Sequence, residues 1–312
     1  MSYSDKAVAL LDIVGFKNKV DRTKEYPSGI ADIANALSRA KEWLDHFKGD
    51  AKDIHIQTFS DTTLICASGP TPFQLVSLIW GIALYQCSMV LNGDVLRGAV
   101  AVGQNYQKGT TMFGPGIIEA YEAEQVADWP RVVVVLSVLK RVNPLASDWT
   151  TRPCILTDDR GLAYVDYLMY GSRQMTAKQW KEEYTSKVAK PRAVMEVLVE
   201  GHREIILSLR KEAKGSMRKL TSCHSLAAYH NATIVRLNKV LAGWQEEDAL
   251  SRPGMTPLGT VFPPGIGQSS TSVDQAATDF ASTKLREAPA LQDALNGLVI
   301  HLPSTFPALY GS

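Results

Sequence analysis

The stretch Ala7-Val-Ala-Leu-Leu-Asp-Ile-Val-Gly-Phe-Lys17 decides the fold together with a later stretch, Ile54-His-Ile-Gln-Thr-Phe-Ser-Asp-Thr-Thr-Leu-Ile65. The first begins with a continuous apolar run, which is typical of a strand buried on both faces. The second has apolar runs on both sides of Ser60-Asp61 and predicts a hairpin. Each stretch carries one aspartate at the edge of its apolar run, Asp12 in the first and Asp61 in the second.

Strand and helix patterns alternate through the first half of the chain. After the first strand we predict a helix, two strands, a helix, two strands around Gly103, a helix and a strand, at residues 30–47, 53–59, 62–67, 73–91, 96–102, 104–112, 113–126 and 132–137. The order β-α-β-β-α-β, with one more strand, is that of the ferredoxin-like plan, an α+β fold. This plan places the end of the first strand beside the hairpin, so Asp12 and Asp61 should meet although they are far apart in sequence.

The second half of the chain has a different pattern. Residues 154–157 and 162–168 predict a closing hairpin, after which apolar positions from residue 194 to residue 209 form one helical face. Residues 220–244 predict a second long helix. Residues 251–271 are rich in Pro, Gly and Ser and predict a linker.

Composition excludes some partners. The 312 residues contain 45% hydrophobic residues, enough for a core, and a net charge of +1 gives no electrostatic reason to expect a nucleic acid or an anionic membrane. The four cysteines have no CxxC spacing and the first residues have no signal-peptide layout, so we expect a cytoplasmic protein with reduced thiols. Residues 73–91 imitate a membrane span, but small or polar residues recur there every three or four positions and favour a buried core helix.

A pair of carboxylates at neighbouring strand ends can hold a divalent cation against phosphate groups. Mg²⁺ is held in proteins by a few carboxylates together with phosphate oxygens and waters. Asp12 and Asp61 supply the carboxylates, and the backbone carbonyl of Ile13 can add a ligand. The alternative is that both aspartates are structural caps at strand ends.

The turn Val14-Gly15-Phe16-Lys17 follows Asp12 directly and is a candidate phosphate-binding segment. Glycine lets a backbone approach a ligand closely, and consecutive amides in a strand-to-helix turn can cradle phosphate. Lys17 adds positive charge. An ordinary turn with solvated basic residues is the alternative, and the position after Asp12 favours phosphate binding.

Four segments resemble, in order and spacing, motifs of the class III adenylyl/guanylyl cyclase family. They are Asp12-Ile-Val-Gly-Phe16, Phe59-Ser60-Asp61 with Ser60 in place of the usual glycine, Arg97-Gly-Ala-Val-Ala-Val-Gly103, and the segment from Phe113 to Glu124. The resemblance covers about residues 7–137. It implies a nucleotidyl cyclase domain with additional C-terminal helices, two divalent ions (Mg²⁺ or Mn²⁺) per site, and active sites at the interface of a head-to-tail homodimer.

On this basis we divide the chain into three parts. Residues 1–172 are the predicted nucleotidyl cyclase catalytic domain, residues 173–250 a helical extension, and residues 251–312 a linker with a weakly structured C-terminal tail. The catalytic residues that the resemblance indicates are Asp12, Asp61 and Arg97.

The chain departs from the family at positions that matter for catalysis. The family's Asn and Arg of the last helix fall at Ile118 and Glu122, and Glu122 cannot stabilise an anionic transition state. Arg97 is the candidate replacement, although an arginine at a strand start is more often a surface or interface residue. The purine-reading Lys and Asp fall at Gln57 and Thr111, whose amide and hydroxyl can still bind a base edge, so we expect a different base.

With its helical extension, the pattern is similar to the divergent bacterial cyclases of the Pycsar anti-phage systems. The resemblance implies synthesis of 3′,5′-cyclic UMP or cyclic CMP and pyrophosphate from UTP or CTP, with UTP preferred, and a separate effector that the cyclic nucleotide activates. The sequence leaves open a purine cyclase, a catalytically inactive nucleotide sensor, and a dimerisation module that works through its C-terminal helices. Residues 59–63 do not supply the Gly-Gly-(Asp/Glu)-Glu-Phe hairpin of a diguanylate cyclase.

Overall fold

The structure, a computed structural model, describes residues 2–48, 54–143, 154–169, 191–213 and 215–245. These residues form two compact units, the first made of residues 2–89 and 94–167 and the second of residues 90–93 and those from 168 onward. Both predicted domain boundaries, near residues 172 and 250, lie outside the described residues, as does the predicted linker and tail, and they stay predictions.

The first unit is built on an eight-stranded sheet. Its strands are β1 (Ser4–Ile13), β2 (Ile54–Phe59), β3 (Thr62–Ser68), β4 (Leu96–Lys108), β5 (Thr111–Phe113), β6 (Val132–Val134), β7 (Ile155–Thr157) and β8 (Ala163–Val165). The strand order is β2-β3-β1-β4-β6-β8-β7, and β5 pairs with β4 outside that path. The first strand pairs antiparallel with both β3 and β4. Its apolar run is therefore explained by a central position in the sheet.

The described residues also form seven helices with defined bounds. They are α1 (Phe16–Arg22), α2 (Gly29–Lys48), α3 (Pro72–Leu91), α4 (Pro115–Gln125), α5 (Leu136–Val142), α6 (Pro191–Glu212) and α7 (Met217–Gln245). The predicted fold class is confirmed: the chain is α+β with the order β-α-β-β-α-β and has additional C-terminal helices. Among the described residues only α3 is long and apolar enough to cross a membrane, and 89% of its apolar window is buried within the protein.

One correction concerns the predicted break at Gly103. Residues 96–108 form one continuous strand, β4, and the turn lies at residues 109–110 instead. Gly103 is needed for a close approach rather than a turn, because a Cβ there would lie 2.9 Å from the Cα of Gly116 in α4. The sequence singled out Gly103, but the reason for a glycine there is its contact with α4 and not a turn.

A second correction concerns the strand predicted over residues 132–137. The strand β6 ends at Val134, and Ser137 lies in helix α5. The Ser137 hydroxyl accepts a hydrogen bond from the backbone N–H of Val102 at 3.2 Å. The Ser137 side chain thus satisfies the Val102 N–H, which a backbone carbonyl of a longer β6 would otherwise satisfy. The pairing of β6 with β4 therefore ends before residue 137.

The second unit contains a buried histidine pair between α6 and α7. His202 and His230 are fully buried, their rings stack at 5.2 Å between centroids, and their Nδ1 atoms lie 3.0 Å apart. Burial lowers the pKa of His202 well below its usual value, and lowers that of His230 to about 4. Both rings are therefore neutral at neutral pH, which allows one Nδ1 to donate to the other.

We expect Gly103→Ala to destabilise the first unit, because its new Cβ meets backbone atoms of α4 that cannot rotate away. The expected loss is about 1–3 kcal/mol of unfolding free energy, measured by denaturant titration. Gly29→Ala is the matched control, since a Cβ there meets only the Thr23 methyl at 3.5 Å. Equal midpoints for Gly103→Ala and the natural protein would contradict the account.

Acid should destabilise the second unit. The unfolded chain takes up protons at histidine near pH 6.5, while the folded chain holds His230 neutral down to about pH 4. The contribution of neutral His230 to the unfolding free energy is therefore fully present above pH 6.5 and falls as pH drops toward 4. The expected loss at pH 5.5 is about 1–2 kcal/mol.

This loss is measured by denaturant unfolding at pH 7.5 and 5.5. His230→Gln should reduce the difference between the two pH values, whereas His224→Gln, which changes an exposed histidine on the same helix, should not. An identical difference in both variants would rule out the buried pair as its cause.

Candidate active site

Opposed residues of β2, β3, β1 and β4 form rows across one face of the sheet. Because directly opposed residues of antiparallel strands project from the same face, each row places its side chains side by side. One row consists of Phe59, Thr62, Asp12 and Arg97. The next consists of Gln57, Leu64, Leu10 and Ala99. The catalytic candidates Asp12 and Arg97 are thus direct neighbours.

Helix α4 packs on this same face. Its Ala120 joins a core cluster with Val8, Cys66, Ala99, Ala101 and Val133. The helix is held there by Asn105, whose side-chain oxygen accepts the Ile117 N–H at 3.1 Å and whose amide donates to the Gly103 carbonyl at 3.0 Å. Residues at the C-terminal end of α4 therefore reach the row that contains Asp12.

Asp61 lies in the turn between β2 and β3, at the end of the sheet where β1 ends. The preceding Ser60 has φ of 57°, a conformation that glycine adopts more readily than serine. The Asp61 carbonyl accepts a hydrogen bond from the Ile13 N–H at 3.2 Å. The hairpin tip is thereby tied to the end of β1, next to Asp12.

The two aspartates interact electrostatically. Burial raises the pKa of the Asp12 carboxyl, and the negative charge of Asp61 raises it further. The Arg97 guanidinium lowers the same pKa, while Glu124 raises it. The structure therefore brings Asp12 and Asp61 close enough to repel each other, which is the electrostatic situation that a bound cation relieves.

The donors at this position fit a hard cation. Asp12 and Asp61 offer carboxylate oxygens, and Ile13, the residue after Asp12, offers its backbone carbonyl oxygen. Among the residues that the structure describes, no three His, Cys, Asp or Glu side chains are grouped as a metal cage. Mg²⁺ and Mn²⁺ suit such an oxygen-only site, because they take a few protein ligands and keep places for phosphate and water.

Arg97 joins Asp12 to a third carboxylate that sequence reasoning missed. Its Nε donates to Asp12 Oδ2 at 3.1 Å, its Nη2 lies 3.1 Å from the same oxygen, and its Nε lies 2.9 Å from Glu124 Oε1. Glu124 is buried at the end of α4, with 6% of its side chain exposed. Its place in the resembling segment was the available signal, but the sequence assigned it no role.

The predicted phosphate-binding turn is only partly free to bind. Gly15 adopts a left-handed conformation, with φ of 78°, and a Cβ there would contact nothing within 4 Å. The Val14 N–H already donates to the Val95 carbonyl at 3.0 Å. The Lys17 side chain is exposed. Of the predicted segment, the Val14 amide is thus committed to the Val95 carbonyl, Gly15 caps helix α1, and Phe16 and Lys17 are the first two residues of that helix.

An ion pair between a partly exposed lysine and a buried aspartate fixes α1 behind this turn. Lys19 of α1 pairs with Asp94, which is 4% exposed and precedes β4. Burial raises the pKa of the Asp94 carboxyl, and the Lys19 ammonium opposes that rise. Lys19 therefore holds the first helix against the start of β4, and its charge is engaged by Asp94 rather than available to phosphate groups.

The predicted base-binding residues are not paired with each other. Gln57 lies opposite Leu64 on the edge strand β2, in the row next to that of Asp12. Thr111 lies on β5, opposite Lys108 of the neighbouring strand β4. The strands β3, β1 and β4 stand between them in the sheet order. Ile118 and Glu122, at the positions of the family's Asn and Arg, are both exposed on α4.

Comparison with known proteins finds similarity only at the level of solved structures. No protein-family description matches the chain. No curated protein matches it either. The adenylyl cyclase CyaB from P. aeruginosa is 12% identical, with a TM-score of 0.41 over 52% of this chain and 93% of that one.

Two guanylyl cyclase structures give similar values. The catalytic core of a rhodopsin-guanylyl cyclase with converted specificity, in complex with ATPalphaS, is 13% identical, with a TM-score of 0.39 over 53% of this chain and 95% of its own. The dimeric guanylyl cyclase domain of the RhoGC fusion protein from Blastocladiella emersonii is 12% identical, with a TM-score of 0.37 over 53% and 95%. Such low values do not assign an activity to this chain, so the chemistry must come from its own side chains.

Lys19→Met tests how much the Lys19–Asp94 ion pair contributes to the unfolding free energy. It leaves the Asp94 charge buried without its cation, and we expect a loss of about 1–3 kcal/mol of unfolding free energy at pH 7. Burial raises the folded pKa of Asp94 and Lys19 opposes that rise, so the folded Lys19→Met variant has a higher Asp94 pKa than the folded natural protein. The variant therefore takes up this proton more readily, and its loss of stability should shrink as pH falls toward 5.

Two further variants make this result specific. Adding Asp94→Asn to Lys19→Met should restore most of the lost stability by removing the uncompensated charge. Lys24→Met, which breaks an exposed pair with Asp21, should have no measurable effect. A loss in Lys19→Met that is the same at pH 7 and pH 5 would exclude Asp94 as its source.

Proposed function

We propose that this chain is a nucleotidyl cyclase that converts a nucleoside triphosphate to its 3′,5′-cyclic monophosphate and pyrophosphate. The observation that carries the proposal is the convergence of Asp12 and Asp61 at one end of the sheet. The N–H of Ile13, the residue after Asp12, donates to the Asp61 carbonyl at 3.2 Å, and the Asp61 charge raises the pKa of Asp12. Two such carboxylates beside a turn at the start of a helix form a suitable place for a triphosphate and divalent cations.

In this reaction the substrate's 3′-hydroxyl oxygen forms a bond to its own α-phosphorus, and the bond from that phosphorus to the oxygen bridging the α- and β-phosphates breaks. The bridging oxygen leaves with pyrophosphate, and the hydroxyl proton passes to solvent water. Divalent Mg²⁺ or Mn²⁺, two ions per site, would supply charge neutralisation and lower the pKa of the hydroxyl. Asp12 and Asp61, with the Ile13 carbonyl, would hold these ions. The segment from Gly15 to Lys17 would orient the leaving phosphates, and the ion pair of Lys19 with Asp94 ties the helix that begins there to the chain before β4.

The proposed substrate is a pyrimidine nucleotide, UTP in preference to CTP. The support is chemical: neither Gln57 nor Thr111 carries the charge that would match a purine-reading Lys or Asp, while an amide and a hydroxyl suit neutral base edges. The preference for UTP rests on resemblance to the Pycsar cyclases, as does a role in anti-phage signalling through a separate effector. A purine cyclase is the competing assignment within the enzymes.

We propose a homodimer with composite sites at its interface. Because Gln57 and Thr111 are separated by three strands within the sheet, a second copy offers a route to a complete base pocket. Exposed apolar side chains support such an interface: Phe59 two residues after Gln57, Phe113 two residues after Thr111, and Ile118 and Tyr121 on α4. A cytoplasmic location is part of the same proposal, supported by four buried cysteines, none of which is in a disulfide.

A second candidate is a nucleotide sensor that binds the triphosphate without turnover. The observation that favours it is Glu122, an exposed carboxylate on α4 at the position where the family places its transition-state arginine. Arg97, the candidate replacement for that arginine, is paired with Asp12 and Glu124. Turnover therefore requires that Arg97 change partners or that another cation enter the site.

Product analysis tests the proposal. The full chain is incubated with ATP, GTP, CTP or UTP and with Mg²⁺ or Mn²⁺, and products are identified by chromatography and mass. We expect one cyclic pyrimidine nucleotide and pyrophosphate, with loss of at least about a hundredfold in Asp61→Ala because a metal ligand is gone. Asp159→Ala, which removes an aspartate from the turn between β7 and β8, is the matched control and should retain activity.

The alternative outcomes are distinct. Cyclic AMP or cyclic GMP as the product would retain the cyclase and replace the base assignment. Tight triphosphate binding with no product under any metal condition would favour the sensor. Full activity in Asp61→Ala would remove the two-carboxylate mechanism altogether.

A further inference from the structure

Arg97 engages one of the two carboxylate oxygens of Asp12. Both of its contacting nitrogens are directed at one oxygen, Asp12 Oδ2, at 3.1 Å. The other oxygen, Oδ1, accepts a long hydrogen bond from the Thr62 hydroxyl at 3.4 Å and has no second hydrogen bond from the described residues. Asp12 thus has one oxygen engaged by an internal cation and one oxygen weakly engaged.

Glu124 gives Arg97 a second partner. Its Oε1 lies 2.9 Å from the Arg97 Nε, although that N–H is aimed at Asp12. The Glu124 oxygen consequently lacks a well-directed hydrogen bond from any described residue. A buried carboxylate in this state gains from any movement that brings the guanidinium fully onto it.

We propose that Arg97 is an internal counter-ion that competes with divalent cations for Asp12, and that Glu124 is a positioning residue that sets the strength of this competition. The proposal rests on the proposed function, since it assumes that Asp12 and Asp61 bind the metal. When Arg97 turns from Asp12 to Glu124, Oδ2 is released and the arginine stays beside the site. Glu124 therefore favours the metal-accepting arrangement.

Charge balance supports this arrangement. Asp12, Asp61 and Glu124 carry three negative charges if ionised, and Arg97 carries one positive charge. Without Arg97 the carboxylates would attract a divalent ion more strongly, because a cation a few ångströms away no longer repels it. Without the Glu124 charge, Arg97 has only Asp12 as a partner and should stay on it.

The two substitutions should therefore have opposite effects on metal binding. Mn²⁺ is titrated into the full chain without nucleotide, and free Mn²⁺ is followed by electron paramagnetic resonance. We expect Arg97→Gln to bind Mn²⁺ about tenfold more tightly and Glu124→Gln to bind it about threefold or more weakly. Arg97→Lys, which keeps the charge, should return the affinity most of the way to that of the natural protein.

Matched variants separate this effect from a general loss of structure. Arg141→Gln breaks another arginine–aspartate pair, to Asp5 near the opposite end of β1, and should leave Mn²⁺ affinity unchanged. The double variant Arg97→Gln/Glu124→Gln removes both charges of the Arg97–Glu124 pair, in which Glu124 is buried and Arg97 is partly exposed, so it should fold if either single variant does not. It should still bind Mn²⁺ more tightly than the natural protein.

Each result has one meaning. If Asp12→Asn and Asp61→Asn bind Mn²⁺ as well as the natural protein does, the proposed metal site fails and the proposed function loses its basis. If both weaken binding but Arg97→Gln does not strengthen it, the competition is overturned while the metal site stands. Tighter binding by Glu124→Gln would overturn the positioning role of Glu124 alone.

Discussion

The pairing of β1 with strands on both sides is the constraint on which the rest of the first unit depends. It places Asp12 between Thr62 of β3 and Arg97 of β4 and brings the end of β1 to the hairpin that carries Asp61. Because the side-chain period of a strand is two, a register shift by one residue would send Asp12 to the opposite face. The candidate site therefore exists only in this register.

That register creates an electrostatic tension. A half-buried aspartate meets a second aspartate and a glutamate, and one arginine serves as the shared cation. Such a group is less stable than apolar packing of the same volume would be, since each charge loses part of its hydration. The structural cost is understandable if the arrangement serves binding of a cation and a triphosphate, which are charged themselves.

The close approach of Gly103 and Gly116 links the sheet to this charge cluster. It lets α4 lie directly on β4, and the Asn105 side chain then holds the first turn of the helix. The opposite end of α4 delivers Glu124 to Arg97. Two glycines and one asparagine thus determine the position of a carboxylate two helical turns away, which is why backbone contacts in this unit bear on its chemistry.

By itself, the sequence determined the α+β class, the order of the main elements and the candidacy of Asp12 and Asp61, because apolar periodicity and the aspartate-bearing segments are local properties. It misplaced the turn at Gly103 and the end of β6, since the Gly116 contact and the Ser137 hydrogen bond join residues that are distant in the chain. Only the tertiary structure decided that Arg97 is shared by Asp12 and Glu124, that Lys19 belongs to Asp94, and that Gln57 and Thr111 lie on separate strands. Charge pairing depends on distances in space, and no local pattern encodes those distances.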